Sequence, residues 1–169
     1  MTTILLTGKD GQIGWELQHT LLPLGRVIAV GRAELDLANG DAVRAAIREH
    51  RPDIAINAAA YTAVDQAEHE TELAQPVNVI APGIMAEEPT RKGCLLVHYS
   101  TDYIFDGAKS APYIEDDRPN PLNAYGRSKL AGEEAIRASG ARHLILRIGW
   151  VYGARQQLSA HHAAPRAGA

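Results

Sequence analysis

The 169-residue chain has one cysteine, Cys94, so it cannot form an internal disulfide, which suits a reducing compartment. It has no apolar stretch near the ~20 residues that a membrane span needs. Its start lacks the charged segment and long apolar region of a secretory signal. These absences together predict a cytoplasmic protein. No basic run is present, and 17 Lys and Arg against 20 Asp and Glu leave a formal charge of −3, which argues against a nucleic-acid partner. The 7 histidines are scattered, and adjacent His161 and His162 do not make a metal site, so no metal is expected. Glu115-Asp116-Asp117 reads as a solvated loop. Internal repeats are absent, and no low-complexity segment precedes the C-terminal tail. What remains is an ordinary globular composition, 46% hydrophobic and 22% charged, in a chain long enough for one core.

Strand-like and helix-like segments alternate along the chain. The pattern predicts strands at 3–7, 27–30, 54–57, 95–100 and 144–148, and helices at 12–22, 41–50, 75–91 and 122–139. Pro82 and Pro89 should break the third helix. Alternation of this kind means parallel β-α units, an α/β doubly wound parallel sheet of Rossmann-like type. Val27-Ile28-Ala29-Val30, Ile54-Ala55-Ile56-Asn57, Leu95-Leu96-Val97-His98 and Leu144-Ile145-Leu146-Arg147 read as apolar on both faces, as strands covered by helices on both sides must be.

Three constellations carry chemistry. Thr3-Ile4-Leu5-Leu6-Thr7 runs straight into Gly8-Lys9-Asp10-Gly11-Gln12-Ile13-Gly14, and strand, glycine turn and helix is the order of a pyrophosphate site. Gly8 would make the turn, Gly11 would let the backbone approach phosphates, and Gly14 would let helix and strand pack closely. Tyr125 and Lys129 stand four residues apart in a helical segment, on one face, where a cation favours phenolate and makes a general acid/base. By spacing alone, two solvated helix residues would read the same. In an open sheet of this class ligands bind at the carboxyl ends of the strands, and there the chain has the small residues of Asn57-Ala58-Ala59-Ala60-Tyr61-Thr62 and the hydroxyls of Tyr99-Ser100-Thr101-Asp102. Hydroxyl, phenol and ammonium together suit hydride transfer to or from a carbonyl.

These motifs, with Tyr103-Ile104-Phe105-Asp106-Gly107, Pro121-Leu122-Asn123-Ala124-Tyr125-Gly126-Arg127-Ser128-Lys129-Leu130-Ala131-Gly132-Glu133 and Arg147-Ile148-Gly149-Trp150-Val151-Tyr152-Gly153, resemble the extended short-chain dehydrogenase/reductases. Within that superfamily the chain is most similar to the dTDP-4-dehydrorhamnose reductases, over residues 3 to about 154. The resemblance implies NADPH- or NADH-dependent reduction of the 4-keto group of dTDP-4-dehydro-L-rhamnose, a dTDP-sugar as substrate, and a homodimer in a full-length form. It implies Tyr125 as proton donor, Lys129 as the group that lowers the phenol's pKa and holds the ribose, and Thr101 as the group that orients the carbonyl. It puts Asp102 and Trp150 on the sugar. It puts Gly8, Gly11, Gln12, Ile13, Gly14, Asp36, Leu37, Ala60, Tyr61, Thr62 and Tyr99 on the cofactor. Strand two ends Val30-Gly31-Arg32 with no acid to receive a ribose 2′-hydroxyl, and Arg32 could pair a 2′-phosphate, so NADPH is favoured.

The tail departs from the pattern. A Rossmann-like domain is expected over 1–154, with 155–169 a non-family tail and the sugar-binding region absent. Back-translated and read from the second base of the Arg155 codon, the tail can give Ala-Asn-Asn-Phe-Leu-Arg-Thr-Met-Leu-Arg-Leu-Ala-Arg, an amphipathic pattern, so a frameshift is expected there. A sheet ending at its fifth strand would leave an edge uncovered. Two alternatives stay open: a non-catalytic nucleotide-binding or regulatory fragment, and a related nucleotide-sugar epimerase or dehydratase.

Overall fold

The computed structural model of the chain describes residues 1–88 and 93–153. Along it run β1 (Thr3–Thr7), α1 (Gln12–Thr20), a 3-10 turn (Leu22–Leu24), β2 (Arg26–Val30), α2 (Gly40–His50), β3 (Ile54–Asn57), α3 (Val64–Ala67) and α4 (Thr71–Gln75). A π turn (Pro76–Ile80), α5 (Ala81–Glu87), β4 (Leu95–Thr101), a second 3-10 turn (Asp102–Ile104), α6 (Ala124–Ala138) and β5 (His143–Ile148) follow. All five strands are parallel, in the order β2-β1-β3-β4-β5. The chain steps from β1 to β2 on one side, then crosses back to β3 on the other. That reversal is the doubly wound, Rossmann-like arrangement the alternating elements predict, and it opens a crevice at the carboxyl ends of β1 and β3. The register brings those ends level: Thr7 pairs with Val30 and Asn57, and Asn57 with His98.

β1 is apolar on both faces because both are covered. Leu5 packs on one side with Val43 and Ile47 of α2 and with Ile84 and Met85 of α5. Ile4 and Leu6 pack on the other with Ile56, Leu17 and Leu21. Each side chain buried this way contributes ~1.5–3 kcal/mol. β5 departs from the expectation that its residues are covered on both faces. It is an edge strand, Leu144 is 48% exposed, and Arg147 turns to a buried carboxylate on α6.

The helices start where side chains can cap them. Asn39 Oδ1 accepts from the Ala42 N–H at 3.1 Å to open α2, and Asn123 Oδ1 accepts from the Gly126 N–H at 2.7 Å to open α6. In place of one helix over 75–91, the chain makes a run of helix from Thr71, through α4, the π turn and α5. The irregularity falls at Pro76–Ile80, ahead of Pro82, where the Ala81 N–H reaches back to the Pro76 carbonyl. Pro82 has no N–H to return to the Asn78 carbonyl. That carbonyl faces α6, where a Cβ added to Gly132 would lie 2.1 Å from it, so glycine is what lets α6 pack this closely. Pro89 and the expected tail at 155–169 lie outside the described residues. Among the described residues no helix is long and apolar enough to cross a membrane.

Candidate active site

The turn after β1 is built from the three glycines, each held differently. Gly8 takes φ +79°, its N–H donates to the Val30 carbonyl at 3.0 Å, and an added Cβ would sit 2.7 Å from the Ala59 nitrogen. Only glycine fits there. A Cβ on Gly14 would lie 2.0 Å from the Gly8 carbonyl oxygen, so α1 rests directly on the turn. Gly11 is different: a Cβ there would meet only the Gly8 oxygen, at 3.4 Å. Gly11 opens α1, and helix-start N–H groups with the helix dipole attract anions.

One cavity of about 1000 Å³ collects the groups singled out in the sequence. Gly8, Gly11, Gln12 and Ile13 form its floor, and Arg32, Asp36 and Leu37 line the β2 side. Ala60, Tyr61 and Thr62 border it after β3, and Tyr99, Thr101 and Asp102 at the end of β4. Tyr125 and Lys129 of α6 close it together with Trp150. Gly14 is buried behind the turn and does not line it. The Asp36 carboxylate is used locally, accepting from the Ala38 N–H at 3.0 Å. Asn78 ties down the loop after β3, accepting from the Tyr61 N–H at 2.9 Å and donating to its carbonyl at 3.1 Å. A smaller hollow of about 450 Å³ adjoins, sharing Asp102 and Trp150 and lined further by Phe105, Tyr113 and Leu122. Trp150, between the two, is 71% exposed.

At the β2 end the structure brings in two acids from elsewhere in the chain. Glu34 accepts from the Gly31 N–H at 2.9 Å and pairs with Lys9 of the glycine turn, and a Cβ on Gly31 would collide with the Asp10 carboxylate. The Lys9 ammonium, then the Gly31 N–H, hold the Glu34 carboxyl below its usual range.

Tyr125 is buried at the wall of the cavity. Its phenol titrates above its usual value because it is buried; the Thr101 hydroxyl pulls the other way, and Asp102 and Tyr103 reinforce burial. The lysine nitrogen four residues on is engaged with β4. It donates to the Tyr99 carbonyl at 2.7 Å and lies 3.2 Å from His98 Nε2. Thr101 donates to Asp102 Oδ1 at 3.2 Å and accepts from the Tyr103 N–H at 3.2 Å, which fixes its hydroxyl at the strand end.

Beneath the cavity lies a buried polar layer of which the sequence reading singled out Lys129 as a site residue. Thr7, Asn57, His98, Lys129 and Glu133 are all essentially inaccessible. Glu133 is met by Arg147 and Arg137, each at 2.8 Å. Burial pushes its carboxyl up, but Arg147 and Arg137 outweigh that and hold it below the usual range. Two signals were available. Tyr125, Lys129 and Glu133 repeat every four residues along one helix face. His98 follows the apolar run Leu95-Leu96-Val97 within β4, and a polar residue buried there needs a partner.

Parallel strands wound both ways, a glycine turn opening a helix, and a Tyr/Lys pair near a strand-end threonine are the arrangement of a Rossmann-like domain of the short-chain dehydrogenase/reductase kind. The comparisons with known proteins narrow this. The chain belongs to the family described as the RmlD substrate binding domain, which matches residues 1–162. A dTDP-4-dehydrorhamnose reductase of Burkholderia thailandensis is 49% identical over 152 residues, 90% of this chain and 51% of that protein. The chain therefore spans about half the length of the curated relatives it matches. Among solved structures, a dTDP-4-dehydrorhamnose reductase of Clostridium acetobutylicum superimposes with a TM-score of 0.86 at 39% identity, over 92% of this chain and 56% of that one. The dTDP-4-dehydrorhamnose reductase of Bacillus anthracis, solved in complex with NADP, gives 0.87 at 37% identity over 95% of this chain and 57% of that one.

Proposed function

We propose that this chain is the dinucleotide-binding and catalytic part of a cytoplasmic reductase that converts the 4-keto group of dTDP-4-dehydro-L-rhamnose to the alcohol of dTDP-L-rhamnose. The observation that carries the reading is the convergence of Thr101, Tyr125 and Lys129 on the cavity floored by the glycine turn. The open space at Gly11 and the N-terminus of α1 suit a pyrophosphate, and the small residues after β3 suit a flat ring lying against backbone. A nicotinamide dinucleotide, NADPH or NADH, therefore fits this chain, and when bound it supplies the hydride.

The remaining work falls to the chain's own residues. A carbonyl that gains a hydride becomes an alkoxide and needs a proton. The buried Tyr125 phenol, held above its usual pKa, stays protonated at neutral pH and can give that proton. Thr101, at the end of β4, offers a hydroxyl to orient the carbonyl and share the developing charge. Lys129 places a nitrogen on the floor of the same site through its bond to the Tyr99 carbonyl. Asp102, Trp150 and the adjoining hollow supply polar and aromatic surface for a sugar nucleotide.

The test is to mix the purified chain with NADPH and dTDP-4-dehydrorhamnose and follow absorbance of the reduced nicotinamide. Consumption that depends on the sugar nucleotide supports the reading. A second reading, nucleotide binding without turnover, draws on the chain's spanning half of its relatives. It predicts NADPH binding by calorimetry with no consumption at any sugar-nucleotide concentration.

A further inference from the structure

Tyr125 is the second residue of α6, so the place of its phenol depends on how the first turn of that helix is held. Three groups hold it. Asn123 caps it from within, through the Gly126 N–H. Tyr103 presses on it from the turn after β4: its carbonyl oxygen would lie 2.3 Å from a Cβ on Gly126, and its ring meets the Tyr125 ring edge-on, with centroids 5.8 Å apart. The third group comes from 56 residues away. Glu68, the residue that ends α3, accepts from the Ala124 N–H with Oε1 and faces the Arg127 guanidinium with Oε2 at 3.5 Å. Arg127 in turn donates to the Leu122 carbonyl at 3.2 Å, so the whole entry to α6 is tied together.

We propose that Glu68 is a positioning residue for the Tyr125 phenol: its carboxylate takes the first N–H of α6 and ties that turn to the segment after β3. The Ala124 N–H is one of the helix-start donors that no carbonyl within the helix can satisfy. An anion there also suits the positive end of the helix dipole. The packing agrees. Ala67, next to Glu68, is fully buried in one cluster with Ala124 and Tyr125, and Tyr61 and Val64 pack at its margin. One short stretch of chain therefore brings Tyr61 and Thr62 to the cavity and Glu68 to the start of α6, which fixes the phenol relative to the wall where a flat ring would lie. Asn78 secures Tyr61 separately, through both of its backbone groups, so loss of the carboxylate frees the helix start and leaves that wall in place.

The effect on turnover rests on the reductase reading; the contact with α6 does not. A carboxylate that served stability alone would change how much of the protein is folded. A positioning group changes where the phenol stands in the folded protein. The Glu68 side chain is 43% exposed, so its replacement leaves the core intact. Misplacing a reacting group by about 1 Å can cost ~10²-fold in rate. Where the wild-type chain consumes NADPH, Glu68→Ala should therefore lower kcat about tenfold and leave the KM for NADPH within about threefold, and an unchanged kcat overturns the proposal.

The deciding test uses neither cofactor nor substrate, so its failure is distinct from failure of that reading. In chain with ¹³C-labelled tyrosine rings, Tyr125 is assigned by its absence from the spectrum of Tyr125→Phe. Two quantities are read: the nuclear Overhauser contact between the Tyr103 and Tyr125 rings, and the titration midpoint of the Tyr125 phenol, which burial holds above its usual value of about 10. Glu68→Gln removes the charge and keeps an oxygen for the Ala124 N–H, whereas Glu68→Ala removes both. Glu68→Gln should keep the wild-type ring contact. Glu68→Ala should weaken that contact about twofold or more, and should lower the midpoint by about half a pH unit more than Glu68→Gln does, because the phenol becomes less buried. Equal behaviour of the two variants, or a wild-type contact and midpoint in Glu68→Ala, overturns the proposal. If Glu68→Ala does not fold, Glu68→Asp, one methylene short of the Ala124 N–H, is read in its place against the same outcomes.

Discussion

Gly11→Ala and Gly14→Ala, three residues apart in one turn, should fail in opposite ways. At Gly14 the new methyl would lie 2.0 Å from the Gly8 oxygen, 2.6 Å from the Gly8 carbonyl carbon and 2.9 Å from Lys9 Cα. All three are backbone atoms, so nothing can swing aside, and α1 must back away from β1. Overpacking of this kind costs about 1–3 kcal/mol, and here the upper end applies because the contacts are well inside van der Waals range. At Gly11 the only neighbour is 3.4 Å away, and φ −76° is a conformation that alanine adopts freely. Gly11 opens α1, so alanine loses roughly 0.5–1 kcal/mol of capping preference, offset by a similar gain from a stiffer unfolded chain. Gly11→Ala should therefore leave the urea midpoint nearly unchanged. Its methyl would enter the space over the helix start where a pyrophosphate approaches, and NADPH affinity should fall at least tenfold, about 1.4 kcal/mol. Circular dichroism in urea reads the first quantity and calorimetry with NADPH the second. Gly11→Ala with wild-type affinity would refute the assignment of this turn to phosphates. Gly14→Ala with wild-type stability would refute the steric argument.

Tyr125→Phe should lower turnover by ~10²–10⁴-fold while NADPH affinity stays within about threefold, since only the transferable proton is removed; equal rates would end its role as donor. Glu34→Gln, which removes a carboxylate from the β2 end and frees Lys9, should raise the NADPH-to-NADH affinity ratio by roughly three- to tenfold at low salt and less at high salt, and an unchanged ratio would remove Glu34 from cofactor choice. Arg147→Leu should cost about 3 kcal/mol at pH 7, because the fully buried Glu133 keeps only the half-exposed Arg137. The Glu133 carboxyl is held below its usual range, so the stability it contributes is present above its unfolded pKa of about 4.3 and is lost as pH falls through the folded value. The gap between Arg147→Leu and wild type should therefore narrow in acid, and equal urea midpoints at pH 7 would contradict the ion pair.

What the sequence discloses depends on how far apart the cooperating residues are. The glycine turn is legible because its three glycines, the strand before and the helix after are contiguous, and the geometry at Gly8 and Gly14 follows from local backbone demands. Tyr125 and Lys129 are legible as a face because four residues make one helical turn. The same periodicity extended one step reaches Glu133, whose burial only β5 explains, through Arg147 at 14 residues' separation. His98 and Glu34 were harder for different reasons. His98 sits in a run read as apolar, and its partners Asn57 and Lys129 lie 41 and 31 residues away. They become neighbours only once β3 is known to pair with β4 and α6 to cross beneath the site, facts of topology rather than of pattern. Glu34 supplies an acid at the β2 end from three residues beyond Gly31, because the chain folds back after the strand. A search for an acid at the end of β2 finds Gly31-Arg32 and stops. In both cases the chemistry belongs to a position in space that the chain reaches by a detour. The directly readable pair, Tyr125 and Lys129, then supplies only the acting groups, while the lysine is held from below by residues whose sequence context says core.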